Sequence, residues 1–289
     1  AAAAEGGVTR LARAVSRACT AGDCAGGDGC GKGRVGRPVT WSRPGPGQHV
    51  YARPNEGLIV KFDLDKMEVV DVEDHGVVPV PTRTANYGAD QISDPNNVPH
   101  FPDGVRKDLK PLDITQPEGT SFQVKGHHVS WQKWNFRIGF NPREGLVLYT
   151  VSYTDKGEKR PIIYRASLAE MFIPYGDPAP NHYRKNVFDM GEYGVGMMTN
   201  SLELGCDCLG EIRYFDGIIN DNDGGAYPIK NAICLHEEAF GMLWKHQDFR
   251  TGETEVRRSR RRVISTVAPI GTYQYGYFWT RYHDGVIGD

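Results

Sequence analysis

Apolar positions along this chain recur mainly with period two, the spacing of strands that bury one face. Trp134, Phe136, Ile138 and Phe140 share one side of a run whose other side carries Asn135, Arg137 and Gly139. The same pattern predicts a hairpin from 57–64 and 67–74, with a short Asp/Lys turn between its strands and Pro79 and Pro81 after it. Further strands are expected at 121–124, 128–131, 145–151, 161–165, 209–215, 262–266 and 273–282, and one helical turn at 167–171. Pro95, Pro99, Pro102 and Pro111 make 82–115 a linker or an ordered crossing arm with little room for a helix. There is no doubly wound α/β rhythm and no internal repeat, so the main body should be a large mixed or antiparallel sheet assembly. No run of 18 apolar residues exists, so no membrane-spanning helix is expected.

Composition changes the picture mainly at the start. Residues 1–50 hold 11 of the 35 glycines and carry +4, whereas the rest of the chain carries -6. A short amphipathic helix fits 8–19, but the glycine-rich sequence after it resists packing because glycine loses the most backbone entropy on folding. These residues read as a disordered tail or as sequence foreign to the main body, in preference to a targeting segment. The overall formal charge of -2 argues against a broadly basic nucleic-acid binder. The one basic run, Arg257–Arg262, lacks an aromatic stacking platform and reads as a solvated hairpin and strand start.

Six cysteines fall in two groups. Cys19, Cys24 and Cys30 are loosely spaced and have no nearby histidine, so a zinc site is not expected there. Cys206 and Cys208 alternate in a strand-like run and should point the same way. Either one could bond Cys234 and leave the other as a small buried hydrophobe. None of the nine histidines forms a His-x-His pair, and His236-Glu237-Glu238 lacks the second histidine of a zinc-hydrolase helix. All nine read as surface or hydrogen-bonded residues, and no metal ligand is assigned.

Longer motifs carry more. Asp189-Met190-Gly191-Glu192-Tyr193 is followed by Asn200-Ser201-Leu202-Glu203-Leu204-Gly205-Cys206-Asp207-Cys208-Leu209-Gly210. Cys234-Leu235-His236-Glu237-Glu238 and Tyr273-Gln274-Tyr275-Gly276 come later in the same order. The combination resembles the copper-containing amine oxidases, quinone enzymes that oxidise primary amines, from about Val50 to Asp289. The fold this implies is mainly β: an incomplete large antiparallel β-sandwich over 96–289, preceded by the tail of a small α/β domain over 50–95, with 1–49 as an atypical head. The resemblance makes Asp189 the catalytic base and Tyr273, 84 residues further on, the precursor of topaquinone. It makes Tyr175 the tyrosine that hydrogen-bonds and orients the cofactor, and Val187 the gate residue. It pairs Cys208 with Cys234 and leaves Cys206 free.

The implied chemistry is oxidative deamination. A primary amine condenses with the quinone carbonyl, and Asp189 removes the α-proton. The products are an aldehyde, ammonia and, after reoxidation by oxygen, hydrogen peroxide. The base needs a raised pKa, for which burial against Val187 and Phe188 is the expected source. Copper is the second cofactor; its three histidine ligands are expected beyond residue 289. A homodimer is expected of the complete protein, with no nucleic-acid or membrane partner.

Taken singly, Asp189 reads as a turn or capping aspartate and Tyr175 as a packed turn aromatic. Around Tyr273 the chain has Pro269, Thr272 and Gln274 where the family has Ser or Thr, Asn, and Asp or Glu. These changes predict slow or absent quinone formation and motivate a second reading: a non-catalytic homologue that serves as a structural or binding β domain.

Overall fold

The computed structural model describes residues 35–36, 56–79, 91–92, 94, 96, 103–104, 106–183, 186–188, 190–191, 194–270, 273–282 and 287–288. The expected helix at 8–19, the cysteines of the head and most of 82–105 lie outside them. The chain divides into two compact units, Ala1–Lys110 with Phe172–Val187, and Pro111–Met171 with Phe188–Asp289.

In the first unit, β1 (Val35–Gly36), β2 (Leu58–Asp63) and β3 (Glu68–Asp74) form an antiparallel sheet in that order. The expected hairpin is β2–β3. Its turn is made by Asp63, whose Oδ1 accepts the N–H groups of Asp65 at 2.9 Å and Lys66 at 3.0 Å. A short strand β9 (Phe172–Pro174) pairs with β10 (Asn186–Phe188). Between these strands Asn181 reaches the hairpin, its Oδ1 accepting the Gly57 N–H at 2.9 Å.

The second unit holds two five-stranded antiparallel meanders. The first is β4 (Phe122–Lys125), β5 (His128–Trp131), β6 (Trp134–Asn141), β7 (Gly145–Asp155) and β8 (Glu158–Ala166). The second is β11 (Arg213–Asn220), β12 (Ala226–Gln247), β13 (Thr254–Ile270), β14 (Tyr273–Tyr282) and β15 (Ile287–Gly288). The alternation read in β6 is realised: Trp134, Phe136 and Ile138 are buried and Arg137 is exposed. They share one core with Phe215, Ile219, Ile233, Leu235 and Ile264 of the other sheet, which makes the pair a sandwich. Burying each such side chain contributes about 1.5–3 kcal/mol. Both buried indoles find acceptors in the opposite sheet: Trp131 Nε1 donates to Glu237 at 2.8 Å and Trp134 Nε1 to the Tyr282 carbonyl at 3.0 Å.

The fold is therefore mainly β and antiparallel, with no α-helix and no helix able to cross a membrane among the described residues. Three local expectations are corrected. Residues 167–171 are not a helical turn, because the Glu170 carboxylate turns to backbone N–H groups, including that of Met171 at 3.0 Å. Residues 209–212 precede β11 as loop. Cys206 and Cys208 do not point the same way. Residues 203–208 form a turn in which Asp207 Oδ2 accepts the Glu203 N–H at 2.8 Å, leaving Cys206 exposed and Cys208 buried. The 22-residue β12 is longer than any strand the pattern predicts.

Candidate functional site

Asp189 lies outside the described residues, but its flanks are fixed. One carboxylate oxygen of Glu170, Oε1, accepts the N–H groups of Met190 at 3.2 Å and Gly191 at 3.0 Å. The other oxygen faces Arg143 Nη2 at 3.6 Å. A β-carbon at Gly191 would come within 2.6 Å of that carboxylate. A side chain at 191 would push the end of the Glu170 side chain aside.

Met190 is fully buried, in a cluster with Val195, Ala268 and Ile270. Tyr273 opens β14 directly opposite Ile270 in the β13–β14 register. One apolar cluster thus contains the residue after Asp189 and the cross-strand partner of Tyr273. The loop after Met190 is seated by Gly196, where a β-carbon would collide with the Asn141 carbonyl oxygen. Thr199 Oγ1 donates to the Val195 carbonyl at 3.0 Å.

Tyr175 and Val187 belong to the first unit. Tyr175 follows β9, is half-exposed and has its ring 6.3 Å from that of His182. Val187 is the middle residue of β10. Cys208 and Cys234 form a disulfide and Cys206 is a free, exposed thiol.

Sequence reasoning missed a buried charged row across three strands. Glu237 on β12 pairs with Arg262 on β13, which pairs with Arg281 on β14. All three are buried. Burial works to raise the Glu237 pKa, but hydrogen bonds from Gln116 Nε2 at 2.7 Å, the Ser121 N–H at 2.8 Å and Trp131 overcome it and hold the carboxyl below its usual range. Arg262 therefore does not belong to a solvated run. Its guanidinium carbon lies 4.0 Å from the Phe136 ring centroid and 5.7 Å from that of Trp131. Burial and the Arg281 charge press Arg262 toward neutrality while Glu237 opposes them; an arginine keeps its charge in such a place. Arg257, Arg258 and Arg260 are exposed, as expected of a solvated run.

A sequence model of the family "Copper amine oxidase, enzyme domain" matches residues 123–288, more than half of the chain. This chain belongs to the copper amine oxidase family. It is 50% identical over 254 residues to a primary amine oxidase of Arthrobacter sp. (strain P1), covering 88% of this chain and 38% of that protein. It is 48% identical over 261 residues to a peroxisomal copper-containing diamine oxidase of Nicotiana tabacum, covering 88% of this chain and 32% of that protein. The crystal structure of a copper-containing benzylamine oxidase from Hansenula polymorpha superposes with a TM-score of 0.73 at 33% identity, over 90% of this chain and 41% of the other. The chain thus spans about a third of the length of these amine oxidase relatives.

The family implies copper and topaquinone. Among the described residues, the one group of three or more metal-ligating side chains is Cys208, Cys234 and His236, and its two cysteines are bonded to each other. No trio of histidines is gathered, so the described residues do not fit the copper site of an amine oxidase.

Proposed function

We propose that this chain carries the base and the cofactor precursor of an amine oxidase that deaminates primary amines oxidatively, consuming oxygen. The observation that carries this reading is the 50% identity to a primary amine oxidase over 254 residues, 88% of this chain. Topaquinone, derived from Tyr273, would supply the carbonyl that takes up the amine. Asp189 would accept the α-proton. Burial among apolar neighbours would raise its carboxyl pKa toward the working pH of a base. Tyr175 would orient the cofactor by hydrogen bonding, and Val187 would line the amine's entry. The complete enzyme would be a homodimer, with residues 50–95 closing a preceding small domain.

A second reading rests on Pro269, Thr272 and Gln274 around the precursor. Under it the chain is a non-catalytic β domain. The test is peptide mass spectrometry of the full-length protein, which on the family's pattern would carry the copper ligands, purified with copper and air, with phenylhydrazine as label. A Tyr273 peptide that gains two oxygens, loses two hydrogens and takes the label establishes the oxidase reading. An unmodified Tyr273 in protein shown to hold copper establishes the second.

A further inference from the structure

The buried face of β12 opposite the main core holds Cys234 and His236 two residues apart, so both project to the same side. Cys208 reaches them from the 203–208 turn. The two sulfurs and a ring nitrogen of His236 all lie within 4.8 Å of one another, and all three residues are buried. His236 Nδ1 is 3.8 Å from Cys234 Sγ, while its Nε2 lies 2.9 Å from Glu238 Oε1. Glu238 is in turn held by Arg261, whose Nε donates to Oε2 at 2.8 Å. With the ring proton on Nε2, toward that carboxylate, the Nδ1 lone pair faces the sulfurs. A disulfide needs no such imidazole beside it. A carboxylate on the far nitrogen is, by contrast, how metal-bound histidines are typically oriented.

We propose that the Cys208–Cys234 bridge, once reduced, is a zinc-class metal site completed by His236. Tetrahedral zinc, with about 2.3 Å to thiolate and about 2.0 Å to imidazole, spaces sulfur and nitrogen about 3.5 Å apart, close to the 3.8 Å between Cys234 Sγ and His236 Nδ1; the two sulfurs, bonded to each other in the bridge, must part on reduction to admit the ion. Two thiolates and a neutral imidazole around a dication sum to zero charge, which suits a site walled by Leu202, Ile212 and Val267. Ser265 Oγ, 2.8 Å from Cys234 Sγ and 3.9 Å from Cys208 Sγ, stands at the fourth side. The steps balance. A water-soluble phosphine takes oxygen from water and gives two thiols from the disulfide. The metal ion then displaces one proton from each thiol, with no further redox change. The site is independent of Tyr273 conversion and of the family's copper.

The test uses the full chain with Cys19, Cys24, Cys30 and Cys206 replaced by serine, so that only the bridge cysteines remain. After anaerobic reduction and removal of the phosphine, thiol counting confirms two thiols and circular dichroism confirms the sheet. Cobalt(II) is then added as the optical probe for zinc. The expected result is one cobalt per chain, with thiolate charge-transfer absorption and the intense visible bands of tetrahedral coordination. The oxidised chain should show neither. His236→Ala should abolish the tetrahedral bands, and Glu238→Gln should weaken binding about tenfold or more. The proposal is overturned if the reduced, folded chain binds no cobalt. It is equally overturned if His236→Ala binds as tightly as the parent, or if reduction alone removes the sheet, since the ligands depend on β12 and β13 in register.

Discussion

In the inner half of the β12–β13 hairpin, Cys234–Glu237 pair with Arg262–Ser265, and all eight residues are buried. In the outer half, Met242–Gln247 face Thr254–Arg258 along the same antiparallel ladder, and all of them are exposed. The register slips between the halves, at Ala239/Met242 and again at Met242/Trp244. Backbone pairing is continuous in kind across the whole hairpin, so it cannot be what separates the halves. The inner half is anchored by the opposite sheet, through the core around Leu235 and Ile264 and through the Trp131–Glu237 hydrogen bond. The outer half has only its own ladder. Stability should therefore respond steeply to substitutions on one side of the slip and weakly on the other.

The largest effect should come from Glu237→Ala. It leaves the N–H groups of Gln116, Ser121 and Trp131 without their acceptor and removes the carboxylate facing Arg262. Breaking a buried charge arrangement from one side costs about 3–5 kcal/mol, read as a fall in the urea midpoint without a change in slope. A loss below about 1 kcal/mol would mean that the charged row is not buried as a unit.

Next comes the bridge that ties the 203–208 turn to the inner half. Cys208 and Cys234 are 26 residues apart. Closing a loop of that size stabilises by about 3 kcal/mol through the unfolded chain. Cys208→Ser should lower the midpoint accordingly, whereas Cys206→Ser, at an exposed free thiol, should leave it unchanged. Equal effects of the two substitutions would undo the distinction between them.

Legibility in the sequence divides along the same line. β6 is legible because one face meets the core and the other meets water, so the sequence alternates. The outer half of β12 carries Phe240, Met242, Leu243 and Trp244 with no buried face to select among them, and no alternation results. Arg262 is misleading because a run of arginines looks solvated; only the strand register and two aromatic rings from the opposite sheet show that it is buried. Spacing does not choose between Cys206 and Cys208, because the choice is made by a turn that Asp207 closes with its own side chain. The pairing with Cys234 is legible only through family resemblance. The shared cluster of Met190 and Ile270 is a long-range contact, and no local pattern encodes it.

A smaller effect of the same kind should be seen away from the hairpin, at the β6–β7 turn. There Glu144 receives Arg165, Ser167 Oγ at 2.6 Å and Asn141 Nδ2 at 3.0 Å. Arg165 foremost, with Ser167 and Asn141, brings its pKa from 4.5 to about 2 against the opposing effect of burial. A carboxyl depressed in the folded state stabilises fully above its unfolded value. That contribution should be lost as pH falls from 4.5 through about 2. Arg165 is 39% exposed, so solvent screening reduces the contribution to about 1 kcal/mol. Midpoints measured across this range should fall less steeply for Glu144→Gln than for the parent.

The smallest effect should be at the outer half. Leu243 and Trp244 are large apolar residues, and in a core either truncation would cost about 2–5 kcal/mol. Here both side chains are exposed, so truncation to Ala removes little that folding buries. The change should stay within about 0.5 kcal/mol, as for surface substitutions generally. Trp244 also stacks on His246, with centroids 5.9 Å apart, but that contact is itself in water and adds little. A loss above about 1.5 kcal/mol in either variant would show that the outer face is covered in solution. If that loss disappears on dilution, the cover is a second copy of the chain. If it persists at every concentration, the cover comes from the chain itself, and the contrast between the halves would then reflect which neighbour each one meets.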